Sequence, residues 1–253
     1  MKIFVANWKM QRSFDESLSW IDEHKSSLKQ LITSTTKLVI CPEFTTLKSI
    51  YDKISGTGIE LGAQNCAAQV TGSYTGEVSA KSLKEVGCSY CIIGHSEHRR
   101  LSGETFHDVG LKLVTLLRLG VTPIICVGES ANDHKEGATH DVLQVQLEPI
   151  VDGLLDYEKL SKSAAIIVAY EPLWAIGSGA TPNNLEIINA LKTIRDYLKE
   201  QTPNCSVQLL YGGSVNEQTL VELKKIKELD GFLIGSASLD FQNLKKIVVS
   251  HIE

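Results

Sequence analysis

The chain has 253 residues, a length that admits two small domains but at which a barrel of alternating strands and helices is ordinarily one. With 43% hydrophobic and 22% charged residues it has the material for a sizeable core, which excludes disorder. The net charge is −5, no basic block is longer than pairs such as Lys224-Lys225 and Lys245-Lys246, and no apolar run approaches a membrane span, so neither nucleic acid nor a bilayer is an expected partner.

The first apolar run, Ile3 to Ala6, is of strand length and too short for the core of a secretory signal, so the chain is expected to be cytoplasmic. Ser13-Phe-Asp-Glu16 is a capping box and opens the first helix. Leu38 to Cys41 and Ile59 to Ala63 are the next strand candidates, each followed by a polar loop and a stretch with apolar residues at helical spacing. Gly87 closes a helix ahead of the strand Tyr90 to Ile93, and Gly120 closes another ahead of Pro123 to Val127. Ala165 to Tyr170 follows; Thr181-Pro182 then reads as an N-cap with proline in the first helical position. Val207 to Tyr211, a helix opened by Asn216-Glu217, and Phe232 to Ile234 complete the series.

These are eight strand–helix units, and alternation of this kind implies a parallel sheet whose return crossings are helices. Eight units favour a closed, eight-stranded parallel (β/α)8 barrel, an α/β fold, as a single domain over residues 1–253. The competitor is an open doubly wound sheet, which usually carries a glycine-rich dinucleotide turn after its first strand; here that place holds Asn7-Trp8-Lys9. Six cysteines at 41, 66, 88, 91, 126 and 205 show no disulfide framework and read as reduced thiols. Cys88 and Cys91 form a C-x-x-C, but at the start of a strand residues three apart face opposite sides and no second pair completes a zinc site.

The unusual polar residues all fall just after strand ends, which in such a barrel brings them to one rim. Lys9 follows the first strand, Gln64 and Asn65 the third, His95 and Glu97 the fourth. Glu129 follows the fifth, Glu171 the sixth, Ser214 the seventh and Gly235-Ser236 the eighth. Singly, each has a plainer explanation: Lys9 and Glu97 pair with each other, or His95 is a satisfied core histidine. Gly212-Gly213-Ser214 and Gly235-Ser236-Ala237 offer backbone N–H groups for a phosphate dianion, or are tight turns needing positive φ.

Glu171 ends a buried apolar run and is aimed into a pocket, or else forms a surface ion pair. Pro172 stiffens the exit, Trp174 and Ile176 supply an apolar underside, and Gly177 and Gly179 free the chain, the ingredients of a closing lid.

The motifs Asn7-Trp-Lys-Met, Gly94-His-Ser-Glu97, Cys126-Val-Gly-Glu129, Ala169-Tyr-Glu-Pro172 and Tyr211-Gly-Gly-Ser214, each after its strand and in order, resemble the triosephosphate isomerase family over nearly the whole chain. The resemblance implies a TIM barrel that interconverts dihydroxyacetone phosphate and D-glyceraldehyde 3-phosphate without metal or organic cofactor. It implies Glu171 as base, His95 as a neutral electrophile and Lys9 as a catalytic cation. Asn7, Lys9, Gly177, Ser214, Gly235 and Ser236 would bind the substrate, with Glu97, Cys126, Glu129, Trp174 and Tyr211 in support. It also implies a homodimer in which Thr75 reaches the partner's site, and a place in glycolysis and gluconeogenesis.

The chain departs from the family pattern at four places. Gln11 stands for the usual Asn, His98 for the first Arg of His-Ser-Glu-Arg-Arg, and Ser236 for a common second Gly. After Gly179 a Lys-Thr pair is missing, which shortens the C-terminal hinge. The rival enzymes are a metal-dependent hydrolase with His95, Glu97 and His98 as ligands, and a Schiff-base aldolase using Lys9. A barrel that binds a sugar phosphate or a protein without turnover is the non-catalytic alternative.

Overall fold

A computed structural model describes residues 1–159, 163–176, 182–215 and 217–250. Eight parallel strands pair in chain order and close into a barrel: β1 (Lys2–Asn7), β2 (Thr36–Cys41), β3 (Glu60–Ala63), β4 (Tyr90–Ile93), β5 (Thr122–Val127), β6 (Ala165–Tyr170), β7 (Ser206–Tyr211) and β8 (Gly231–Ile234). Closure is made by β8 on β1, with Phe4 opposite Phe232 and Ala6 opposite Ile234. The expected closed barrel is therefore present, its competitor, the open doubly wound sheet, is ruled out, and each expected strand is found. β2 starts two residues before the apolar run because Thr36 and Lys37 continue the ladder opposite Lys2 and Ile3.

Around the barrel lie α1 (Phe14–Gln30), α2 (Leu47–Ile54), α3 (Ala80–Glu85), α4 (Ser96–Ser102), α5 (Phe106–Leu119), α6 (Ala131–Lys135), α7 (Thr139–Glu158), α8 (Asn184–Gln201), α9 (Glu217–Leu223) and α10 (Phe241–Val249). The capping box of α1 is formed by Ser13 and Glu16 as expected. Three more helices open the same way, with Thr105 and Asp108, Ser130 and Asp133, and Asn183 and Glu186. The last pair corrects the expected start at Thr181-Pro182: Asn183 takes the cap because its side chain reaches the Glu186 N–H, which leaves Pro182 ahead of the helix. Thr181 and Asn216 lie outside the described residues; α9 does begin at Glu217. Gly120 caps α5 at φ 67, and Gly87, at φ 101, turns the chain out of α3.

Strand alternation divides the apolar residues into two layers. Ile3, Val5, Ile92, Ile124, Ile167 and Leu210 belong to a cluster inside the barrel. Phe4, Ala6, Leu38, Ile125, Val168 and Phe232 belong to the larger cluster between strands and helices. Cys88 and Cys91 both lie in that outer cluster, which corrects the expectation that they face opposite sides; Cys88 precedes β4, so the alternation of the strand does not govern it. The six cysteines are free, and among the described residues no group of three or more His, Cys, Asp or Glu is placed to hold a metal. Among the same residues no helix is long and apolar enough to cross a membrane.

Candidate active site

The inward series of each strand decides what reaches the barrel mouth. Ile3 and Val5 continue to Asn7, Ile167 and Ala169 to Glu171, Leu210 to Gly212, and Leu233 to Gly235. These residues line a cavity of about 630 Å³ together with Lys9 and His95. Glu97, Gln11, Ser214 and Ser236 are on its wall as well. A second cavity of about 450 Å³, between α9 and α10, is lined by side chains such as Leu220, Val249 and Lys245, with no carboxylate or imidazole among the described residues. Proton-transfer chemistry therefore belongs to the barrel mouth.

At its centre His95 Nε2 lies 3.2 Å from Glu171 Oε1. Both residues are buried. The Glu97 N–H, at the start of α4, donates to His95 Nδ1 at 3.2 Å. A ring whose Nδ1 accepts carries its proton on Nε2, so the hydrogen on Nε2 points at Glu171 and into the cavity. The helix N-terminus beside Nδ1 also disfavours a second proton there. Burial lowers the His95 pKa, but the charge and hydrogen bond of Glu171 together carry it above the ordinary imidazole value. Burial pushes Glu171 upward, and His95, the Ser96 N–H at 3.4 Å and Arg99 together hold it below the ordinary carboxylate value. The carboxylate is thus ionised and ready to accept a proton, opposite a ring ready to donate one.

Lys9 is the one residue other than glycine with positive φ, 52, among the described residues. Asn7 Oδ1 accepts from the Lys9 N–H at 3.1 Å, and Gln64 Nε2 donates to the Lys9 carbonyl at 2.8 Å and to that of Cys41 at 3.0 Å. Asn7 and Gln64 over-determine a strained backbone, as at many functional positions. The ammonium pairs with Glu97 at 2.6 Å, so the plainer explanation of that pair holds, and it does so on the cavity wall. The Schiff-base alternative needs a free amine at this position, and the Lys9 Nζ is instead engaged by the Glu97 carboxylate.

Glu129 is fully buried; it accepts from Tyr170 Oη at 3.0 Å and from Trp174 Nε1 at 2.7 Å. Its carbonyl accepts from the Leu173 N–H at 3.1 Å, so it grips the turn on both sides of Glu171. Cys126 lies inside the barrel, and burial and the Glu171 charge push its thiol well up, which leaves it un-ionised. Tyr211 is buried, and among the described residues its hydroxyl has no hydrogen-bond partner. Ser214 Oγ donates to the Ala175 carbonyl at 3.2 Å, tying the two loops together.

The glycines were expected to need positive φ or to hold phosphate. Gly212, Gly213 and Gly235 do not have positive φ, which removes the first explanation. Close approach replaces it: a Cβ on Gly213 would lie 2.2 Å from Tyr211 Oη. Ser236, also without positive φ, starts a 3-10 turn directly after Gly235. Gly177 and Gly179, and with them the lid, lie outside the described residues.

His98, offered above as a metal ligand, turns instead to Asn65 at 2.8 Å, with Nδ1 3.5 Å from Glu104. Of the two arginines that follow His98, Arg99 faces inward, donating from Nε to the Gly94 carbonyl at 2.9 Å and lying over Phe106, while Arg100 is exposed. Thr75 is on an exposed loop. Sequence reasoning missed the Ser96 N–H and the buried Gln146, whose amide bonds both the N–H and the carbonyl of Gly128 at 2.8 and 2.9 Å. Its spacing on α7 carries no signal that separates it from surface glutamines.

A sequence model described as triosephosphate isomerase matches residues 2–251. The triosephosphate isomerase of Aquifex aeolicus is 36% identical over 251 residues, 98% of this chain and 99% of its own length. Those of Dehalococcoides mccartyi (strain BAV1) and Dictyoglomus turgidum are each 39% identical, covering 97% and 98% of this chain and 94% and 99% of their own.

Proposed function

Because the chain belongs to the triosephosphate isomerase family and so interconverts triose phosphates, we propose that Glu171 is the base and His95 the electrophile of that reaction. Glu171 removes a proton from the carbon beside the carbonyl, and the His95 Nε2–H donates to the carbonyl oxygen as it gains charge. Lys9 adds positive charge on the same side, and Asn7 holds the Lys9 backbone while lining the cavity. The enediolate so formed is reprotonated on the neighbouring carbon while the hydroxyl proton passes from one oxygen to the other, which exchanges ketose for aldose with no metal or organic cofactor required by the step. Ser214, Gly235 and Ser236 hold the phosphate, partly through backbone N–H groups, with Gly177 completing the clamp. Glu97, Cys126, Glu129, Trp174 and Tyr211 support these groups.

The protein acts as a cytoplasmic, single-domain enzyme of glycolysis and gluconeogenesis, as a homodimer, and without nucleic acid. The exposed loop that carries Thr75 also exposes Val70 and Tyr74, which supports its use as a contact with a second copy.

The observation that carries the assignment is the 3.2 Å approach of His95 Nε2 to Glu171 Oε1 at the buried end of the barrel cavity. The test is metal-free conversion of glyceraldehyde 3-phosphate by the natural chain and by Glu171→Gln prepared identically. Rapid conversion that is lost in the variant supports the base; equal conversion by both removes Glu171 from that role. Binding of a triose phosphate without exchange of its carbon-bound proton would instead favour a non-catalytic barrel.

A further inference from the structure

His134, on the short helix α6, lies between two carboxylates from different elements. Its Nδ1 is 3.8 Å from Glu129 Oε1, and its Nε2 is 3.9 Å from Glu186 Oε1 on α8. Its ring stacks on the indole of Trp174, with centroids 4.0 Å apart and planes 18° from parallel. Glu129 is wholly buried; among the described residues its side-chain hydrogen bonds go to Oε1, and Oε2 has no hydrogen-bond partner. A buried carboxylate so poorly matched favours a cation beside it. We propose that His134 is a pH-sensitive positioning residue for the turn that carries Glu171, tightening it when protonated and releasing it when neutral.

Three groups that interact with a cation surround the ring: the Glu129 and Glu186 carboxylates and the face of the Trp174 indole. The phenol of Tyr170 is bonded to the same Glu129 oxygen that His134 approaches. On α6 itself Asp133 is engaged by the Ser130 cap and Lys135 follows in the chain, while at the start of α7 His140 bonds Asp141. A charged ring therefore joins α6, α8 and the Trp174 turn through Glu129. The same Glu129 holds Tyr170, Leu173 and Trp174, the residues on either side of Glu171. A neutral ring keeps only the stacking.

The inference rests on the reading of Glu171 as base in its kinetic arm alone. The first arm follows exchange of the Trp174 indole N–H with solvent, corrected for the intrinsic pH dependence, in the full-length unliganded protein between about pH 5.5 and 8.5. The natural chain is expected to lose protection as the pH rises, His134→Gln to be weakly protected throughout, and His134→Arg, a permanent cation, to be strongly protected throughout. Emission of Trp174, taken as the difference between the natural chain and His134→Gln, is expected to be quenched at low pH; the Trp20–His24 contact is common to both and cancels.

In the kinetic arm, kcat of the natural chain relative to His134→Gln is expected to be about two- to fivefold higher at the acid end and to approach unity at the alkaline end, with KM unaltered. His134→Arg should keep the higher ratio across the range. Indole exchange that ignores pH, or an arginine variant that behaves as the glutamine one, would overturn the proposal, as would a flat kcat ratio beside a titrating indole. Full turnover by Glu171→Gln would overturn the base assignment instead, and leave the indole result standing.

Discussion

Gly212 leaves the space that Glu171 occupies: a Cβ built on it would lie 2.8 Å from Glu171 Cγ. The two are neighbours across β6 and β7, since the Gly212 N–H bonds the Tyr170 carbonyl at 2.8 Å. A methyl group there has to displace the base, because the other side of the glycine is held by the ladder. Gly212→Ala is expected to lose on the order of ten- to a hundredfold in kcat, with a smaller change in KM, because misplacing a reacting group by about 1 Å spoils alignment rather than binding. Steady-state kinetics on the folded variant checks it, and an unchanged kcat would show that Glu171 has room to spare.

The ionisation of Glu171 gives a prediction with a sign. Burial is the largest influence and pushes the carboxyl up; His95, by charge and hydrogen bond, is what mainly reverses it to below the ordinary value of 4.5. Because the native value is depressed, ionisation favours the native state above the ordinary value, and that contribution is lost as the pH falls through the depressed one. With His95→Gln the influence of the imidazole is lost, and burial, the largest influence, is less opposed. The acid limb of kcat/KM assigned to Glu171 should therefore lie below 4.5 in the natural chain and move upward in the variant. A limb that stays in place or moves down would show that His95 does not hold the carboxylate ionised.

The barrel was legible because short continuous apolar runs and helix signals agree with each other along the whole chain. The rim was legible for a related reason: Lys9, His95, Glu129 and Glu171 each stand just after a strand, where a parallel barrel collects its side chains. What the sequence hid was the use to which its glycines are put. Gly212 and Gly213 stand in the sequence as phosphate or turn glycines, yet their backbones are ordinary and they are required by Glu171 and Tyr211, contacts across or along the ladder that only coordinates supply. The same holds for Cys88, where the turn at Gly87 breaks the alternation, and for Asn183, one of several residues in Thr-Pro-Asn-Asn able to cap α8. Local rules rank such candidates, and tertiary contacts choose among them.

Lys9 separates activity from stability. Its φ of 52 belongs to a region that costs a residue with a side chain roughly 1 kcal/mol or more, and glycine is free of that cost. Its ion pair with Glu97 is partly exposed on both sides and contributes at most about 1 kcal/mol. Lys9→Gly is therefore expected to unfold in denaturant at about the same midpoint as the natural chain, while turnover falls by at least about tenfold through loss of the cation. Chemical denaturation paired with kinetics tests both halves. A large drop in midpoint would mean that the lysine holds the mouth of the barrel together, and a retained kcat would remove it from the chemistry.

Glu171→Asp asks whether reach, rather than charge, makes this carboxylate the base. The charge is kept, but the oxygens retract by about 1 Å along the side chain. In the natural site Oε1 stands 3.2 Å from His95 Nε2 and Oε2 3.4 Å from the Ser96 N–H, so both contacts are already near the limit of a hydrogen bond. Retraction breaks them and takes the carboxylate away from the proposed position of the substrate carbon, while the proposed phosphate-binding residues after β7 and β8 are untouched. KM should stay within a small factor and kcat should fall about a hundredfold or more. If both parameters instead remained at their natural values, the proton would have to be taken by another group, and among the described residues the other carboxylate on the cavity wall is Glu97, whose oxygen is engaged by Lys9.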